Sequence, residues 1–303
     1  MKQLTILFFI TMSLFSCKET DKEAQAVLSE SNGKINNVSI IIDDNLWNGE
    51  IGDSIRKKFA APVDGLPQEE PLFTLNQYPT KVFEGFVRKS RNIIIVKKDT
   101  KTGFSSNNNV YAKPQNVFLV SGKTTEDVLK VLEEKSAEII KTVKSAEIIE
   151  NQLRMKKSLV SDDKVQKMFG VSLEIGFGFK YDMVKDNFIW LRKEFSSGYN
   201  RILIYQVPIE KVEKDTNIIA NITAMRDEIG KANIHGTLPN TWMITEAAYA
   251  PYLFEVNVAN KKTYLTKGTW ELKNDFMAGP FVNYAIKDTK NNRYLILEGF
   301  TYN

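Results

Sequence analysis

Histidine and cysteine are nearly absent from this chain. Its 303 residues include one of each, His235 and Cys17. Zinc sites built from clusters of His and Cys are excluded by that count. A Ser-His-Asp hydrolase would have to use His235 as its one base, and no Gly-x-Ser-x-Gly elbow accompanies it. His235 stands in Asn233-Ile234-His235-Gly236, a loop after a helix, where the helix C-terminus favours an imidazole. Excess charge is lacking too. A net charge of +4 gives no reason to expect nucleic acid or an acidic membrane surface as a partner. A long apolar run is also missing: the mainly apolar run over residues 4–15 is about 12 residues long, whereas a spanning helix needs about 20.

What the N-terminus does have is the layout of a secretion signal. Met1-Lys2-Gln3 is a positively charged start, the apolar run follows, and Ser16-Cys17 ends it. Leu14-Phe15-Ser16-Cys17 resembles a bacterial lipobox, in which the peptide is cut before a diacylated cysteine. The sequence therefore predicts a signal peptide over residues 1–16 and lipidation of Cys17 with palmitate-type chains. Two or three acyl groups together anchor stably to a membrane. Losing Lys2 with the signal leaves a charge of +3. Lys18-Glu19-Thr20-Asp21-Lys22-Glu23 then opens a polar, aromatic-free stretch to about Asn36, predicted to be a disordered tether with a mean reach of about 25 Å. This stretch is either a solvated linker or an acidic export signal like those of Bacteroidota surface lipoproteins. The predicted location is the cell envelope, at the outer membrane, facing either the periplasm or the exterior.

From residue 37 to 303 the composition supports a substantial core, with 43% hydrophobic and 11% aromatic residues. Residues 38–42 read as a buried strand, followed by a capped helix over 46–59. A Pro-rich loop spans 61–79. Strands follow at 91–97 and 116–120, the second after a Gly/Asn-rich turn. Thr124 and Asp127 make a capping box for a long helix. That helix contains Lys-Ser-Ala-Glu-Ile-Ile twice, at 135–140 and 144–149. A nine-residue shift is half a turn out of phase, so the two Ile pairs point to opposite faces. The helix is expected to bend, end early or pack on two sides. Strands over 171–181, 187–194 and 201–207 precede a helix over 217–232, and four more strands complete the chain as a meander. The predicted class is α+β, with helices on one face of a mainly antiparallel sheet. The first half reads βαββαβ, a ferredoxin-like layer, and the second reads as helix plus β-meander. One domain over 37–303 or two packed halves, 37–160 and 165–303, are both compatible with the sequence; residues 156–164 are the candidate boundary.

A set of motifs runs along this region. The first are Leu46-Trp47-Asn48-Gly49-Glu50-Ile51-Gly52-Asp53, Phe59-Ala60-Ala61-Pro62, Leu66-Pro67-Gln68-Glu69-Glu70-Pro71-Leu72-Phe73 and Arg91-Asn92-Ile93-Ile94-Ile95. Near the end come Gly268-Thr269-Trp270-Glu271 and Asp275-Phe276-Met277-Ala278-Gly279-Pro280-Phe281. Together they resemble an uncharacterised Bacteroidota lipoprotein family, the domain of unknown function numbered forty-eight thirty-seven, over nearly the whole folded region. The resemblance implies a lipoprotein and no established activity, so it transfers no catalytic residue. It also implies a final helix beyond the strand ending near Tyr302.

Other motifs carry little chemistry. Ser121-Gly122-Lys123-Thr124 stands where a P-loop would, but Val117 replaces the first glycine that must wrap phosphates, so capping is its role. Gly176-Phe177-Gly178 reads as a bulge or close contact. Asp43, Asp44, Glu69 and Glu70 are candidate acids for glycoside hydrolysis only if two of them face each other about 5–9 Å apart; capping accounts for Asp43 and Asp44. Trp47, Trp190, Trp242 and Trp270 are read as core or rim rather than as a glycan-stacking groove. The best partner surface is the loop made by Leu66, Pro67, Gln68, Glu69, Glu70, Pro71, Leu72 and Phe73. Its two prolines stiffen it and its apolar ends can pin it down; a purely structural strap is the competing reading. The sequence thus predicts a non-catalytic envelope lipoprotein binding a protein or glycan, without metal or cofactor. A carboxylate-dependent hydrolase of envelope glycan is the alternative.

Overall fold

The computed structural model describes residues 28–302. The expected signal peptide, Cys17, most of the tether and any final helix lie outside those residues. Among the described residues no helix is long and apolar enough to cross a membrane.

The first half builds one five-stranded sheet. Its elements in chain order are β1 (Asn37–Ile41), α1 (Asp44–Trp47), α2 (Glu50–Phe59), β2 (Thr74–Tyr78), α3 (Gly85–Arg88), β3 (Asn92–Lys98), β4 (Gly103–Asn108), β5 (Asn116–Gly122) and α4 (Thr125–Lys156). The strand order is β2-β1-β3-β5-β4, and all neighbours are parallel except β4 with β5. The ferredoxin-like expectation is therefore corrected: this layer is mostly parallel. Two strands were hidden in segments read as loop and turn, because β2 and β4 are polar edge strands without the apolar run of a buried one. α2 and α4 cover one face, where Ile51, Ile55, Phe59, Val128, Leu132 and Val143 pack on Ile40, Ile94 and Phe118.

Local chemistry explains the helix limits. The single helix expected over 46–59 is two, separated at Gly49, whose backbone is extended. A methyl group on Gly52 would lie 1.8 Å from the Trp47 carbonyl oxygen, so only glycine lets the two pieces meet. Asp43, the position expected to cap, makes no capping bond; its carboxylate accepts from the Thr80 backbone N–H at 3.3 Å. The Thr124–Asp127 capping box is formed in both directions. α4 runs unbroken for 32 residues, so the expected early end does not occur. The phase argument for its repeat holds, since Ile139 is fully buried while Ile148 is 59% exposed. The second Ile pair does not pack on a second partner, which corrects that expectation.

The end of the expected tether is also shorter than the sequence reading. Ser31 N–H donates to the Lys113 carbonyl at 3.2 Å and Asn32 N–H to the Lys89 carbonyl at 2.8 Å, so residues 31–36 lie along the body.

The second half contains β6 (Leu159–Val160), α5 (Asp163–Phe169), β7 (Ile175–Gly176), β8 (Lys180–Lys185), β9 (Phe188–Phe195), β10 (Gly198–Pro208), α6 (Ile209–Val212), α7 (Ile218–Asn233), β11 (Trp242–Thr245), β12 (Tyr252–Val258), β13 (Lys261–Lys273), β14 (Ala278–Asp288) and β15 (Arg293–Tyr302). Eight of these strands form one antiparallel sheet, ordered β11-β13-β14-β15-β10-β9-β8, with β12 also paired to β13. The α+β class and the antiparallel meander hold. The strand expected over 171–181 is mostly loop, with Phe177 largely exposed and Gly178 left-handed at φ +89°. Side chains alternate across the sheet. Leu203, Tyr205 and Val207 face α7, while Ile202 and Ile204 face α5. Helices thus cover both faces here, not one.

Candidate functional site

Two concave places stand out, on opposite faces of the second sheet. The first involves the Pro-rich loop. That loop folds back on itself: Val63 N–H donates to the Glu70 carbonyl at 3.0 Å, Leu72 N–H to Ala61 at 2.8 Å, and Phe73 N–H to Phe59 at 3.1 Å. Its tip crosses to the other half, where Gly65, left-handed at φ +84°, presses against Lys267 of β13. The candidate residues divide accordingly. Phe73 is buried in the first core, Leu72 packs beside it, and Leu66 is half-buried. Pro67, Gln68, Glu69, Glu70 and Pro71 are exposed. The apolar end at Leu72 and Phe73 pins the loop down, and its exposed part is mostly polar.

Beneath the tip lies a cleft of about 440 Å³ lined by Val63, Leu66, Phe179, Ile202, Val282 and Lys267, among others. Its walls are largely apolar. Lys267 is half-buried, and among the described residues it has no carboxylate within ion-pair distance. Burial, and then the positive charge of Lys144, hold its ammonium below the usual lysine range against the opposing pull of Asp64. A largely apolar concavity bordered by a few charged groups, here Lys267, Arg201 and Asp64, is a ligand-binding geometry.

The second place lies at the C-terminal end of α7, on the other face. It is a pocket of about 140 Å³ lined by Trp190, Arg201, Ile234, His235, Trp270 and Met277, with others. The side chain of Arg201 is surrounded by rings, its guanidinium carbon 5.1 Å from the centre of Tyr199, 5.6 Å from Phe300 and 5.9 Å from Trp190. Burial lowers the pKa of that guanidinium, and so does the neighbouring charge of Arg192; Asp182 opposes them. Arg201 Nε and Trp190 Nε1 are both buried without a hydrogen-bond partner among the described residues. Each such orphan donor costs about 1–3 kcal/mol. Trp270, by contrast, donates to the Thr301 carbonyl at 3.1 Å. His235 follows the last turn of α7, and its Nε2 bonds the Lys231 carbonyl at 2.9 Å. That is a helix-end role, and among the described residues no hydrogen-bonded Ser or Asp completes a triad with it.

The other candidates are dispersed. Trp47 carries the Arg56 guanidinium at 4.5 Å and Trp242 lies between Lys231 and Lys273, so the four tryptophans form no common groove. Asp44 accepts from Gln77 at 3.0 Å, in the first half and away from Glu69 and Glu70 on the loop. Sequence reasoning missed one acid pair, Glu246 and Glu271. The hydrogen bond between them lowers the first and raises the second, as when two carboxyls share a proton. Neither residue lines the cleft or the pocket. Among the described residues no group of three or more His, Cys, Asp and Glu side chains could hold a metal ion.

Comparison with known families divides the chain at the same place as its two sheets. Residues 158–303 match the model described as a domain of unknown function, DUF4837. This part of the chain is similar to that family. Residues 31–156 match a second model, the domain of unknown function DUF8532. The motifs between Leu46 and Ile95 thus fall under DUF8532, and those between Gly268 and Phe281 under DUF4837. The resemblance read along the whole folded region is shown for its second half, and the two matches meet within the boundary segment 156–164. No curated protein and no solved structure matches the chain significantly.

Proposed function

We propose that this chain is a non-catalytic binding protein of the cell envelope, held at a membrane by acyl chains on Cys17. Its partner is an envelope protein segment or glycan received in the cleft beneath residues 63–66. The observation that supports this reading is the cleft itself: about 440 Å³, walled by Leu66, Phe179 and Ile202, with Lys267 on its lining and without an ion pair among the described residues. An apolar ligand segment bearing an acidic group fits that chemistry. The exposed run from Pro67 to Pro71 would form the rim of the contact, with Glu69 and Glu70 in water.

The test is crosslinking and affinity capture in cells, using the intact chain, Cys17→Ala and Leu66→Asp. The expected result is a defined envelope partner captured by the intact chain and lost from both variants, with Leu66→Asp still folded by its melting curve. Equal capture by the intact chain and Leu66→Asp would remove the cleft from the reading. Equal capture by Cys17→Ala would remove the anchor.

A further inference from the structure

The pocket below α7 is lined by Arg201, whose guanidinium makes no ion pair among the described residues. Trp190 Nε1 and Arg201 Nε are enclosed, and no described residue accepts from either. The nearby acids are committed elsewhere. Asp182 pairs with Arg192 at 3.5 Å, as does Glu194 at 3.6 Å. Asp275 accepts from the Phe276 backbone N–H at 2.7 Å. Arg192 stands directly across the strand pair from Arg201 and adds charge of the same sign. A half-buried guanidinium beside a second arginine and an orphan indole N–H is arranged for an anion that this chain does not itself supply.

The rest of the lining narrows the chemistry. Ile234, Trp270, Leu272 and Met277 give the pocket an apolar wall. Inorganic phosphate or sulfate would face that wall with charge on every side. A carboxylate has one charged end and can carry a carbon body. The volume of about 140 Å³ equals four to five water volumes at about 30 Å³ each, enough for a carboxylate on a short chain or one ring.

The geometry assigns Arg201 a role: its guanidinium recognises the carboxylate of a small organic acid whose apolar body lies against Trp270, Leu272 and Met277, with the Trp190 indole beside it. This pocket shares Arg201 and Phe300 with the cleft beneath residues 63–66, but Arg201 and Ile202 are neighbours in β10 and their side chains point to opposite faces of the sheet; Leu66 lines only the cleft and Trp190 only this pocket.

The protein has four tryptophans, so a ¹⁵N-labelled sample gives four indole N–H resonances, and Trp190→Phe identifies one of them. The probes are phenylacetate, its neutral amide phenylacetamide, and inorganic phosphate. We expect phenylacetate to shift the Trp190 indole saturably at millimolar concentration, with phenylacetamide and phosphate much weaker. Arg201→Met should weaken phenylacetate binding by about 10- to 100-fold, the loss of one charged hydrogen bond. If that variant does not fold, calorimetric titration of Arg201→Lys, which keeps the charge and removes the planar fork, reads the loss instead. The assignment is overturned by no saturable shift, by phenylacetamide binding as well as phenylacetate, by phosphate binding best, or by unchanged affinity in the variants.

Discussion

Arg91 and Glu147 meet at 2.6 Å with both side chains almost fully enclosed, 3% and 2% exposed. Glu147 accepts from Arg91 twice, from Asn92 Nδ2 at 2.7 Å and from the Asn36 backbone N–H at 2.7 Å. One carboxylate on α4 thus fixes β3 and the segment that leads into β1. The equivalent glutamate of the first repeat copy, Glu138, lies half a turn away and faces solvent beside Lys135. Removing one member of a buried pair leaves the other charge uncompensated. Glu147→Ala should therefore cost about 3–5 kcal/mol, and Glu138→Ala less than about 0.5 kcal/mol. Urea denaturation of the two variants measures the contrast; similar losses would contradict this account of the repeat.

Acid should act through Asp288. Burial pushes its carboxyl up, but hydrogen bonds from Asn291, Lys261 and Arg293 outweigh that and bring it down to about 2. A carboxyl depressed in the folded state stabilises above its unfolded value, about 3.9, and that stability fades as pH falls toward the folded value. At neutral pH Asp288→Asn should lose about 1–2 kcal/mol, discounted for the exposure of Lys261. The gap between variant and parent should close as pH falls from about 4 to about 2. A gap constant through that range would rule out this role.

Gly230 offers a case where helix propensity and packing disagree. Within a helix, Gly to Ala gains about 1 kcal/mol from propensity alone. At Gly230 the new methyl would lie 2.1 Å from the Met243 carbonyl oxygen of β11, and neither backbone can give way cheaply. Gly230→Ala should lose about 1–3 kcal/mol net, and a raised melting temperature would show that α7 and β11 are not in close contact.

The Pro-rich loop predicts opposite outcomes along its length. Phe73→Ala opens the first core and should cost about 3–5 kcal/mol. Glu69→Lys with Glu70→Lys should change stability by less than about 0.5 kcal/mol. Phe276 at the β13–β14 turn is fully exposed, so Phe276→Ser should be silent in the same chemical melts.

Legibility in the sequence follows apolar patterning. β1, β3 and β5 are near-continuous Ile and Val runs because both faces are covered, and they were readable. β2 and β4 were not, since an edge strand needs backbone pairing more than apolar side chains. The α7 stripe and the Thr124 cap were local and therefore legible. The loop over 66–73 could be singled out by its prolines, but Phe73 is buried by the first core and Leu66 half-buried by a sheet more than 100 positions later. Trp190 and Arg201 come from different strands, and nothing local marks either as an unpaired donor. Glu147 differs from Glu138 only by helical phase, a difference the repeat arithmetic contained but could not assign to one copy.

Gly65 packs against Lys267: a Cβ there would fall 2.8 Å from the lysine Cβ and 3.2 Å from its carbonyl carbon. The fit between loop tip and strand therefore has a tolerance narrower than one methyl group. An alanine at 65 would act as a wedge, propping the roof of the cleft open while every lining side chain stayed native. Access to the cleft could in this way be varied separately from its chemistry, by a single carbon atom.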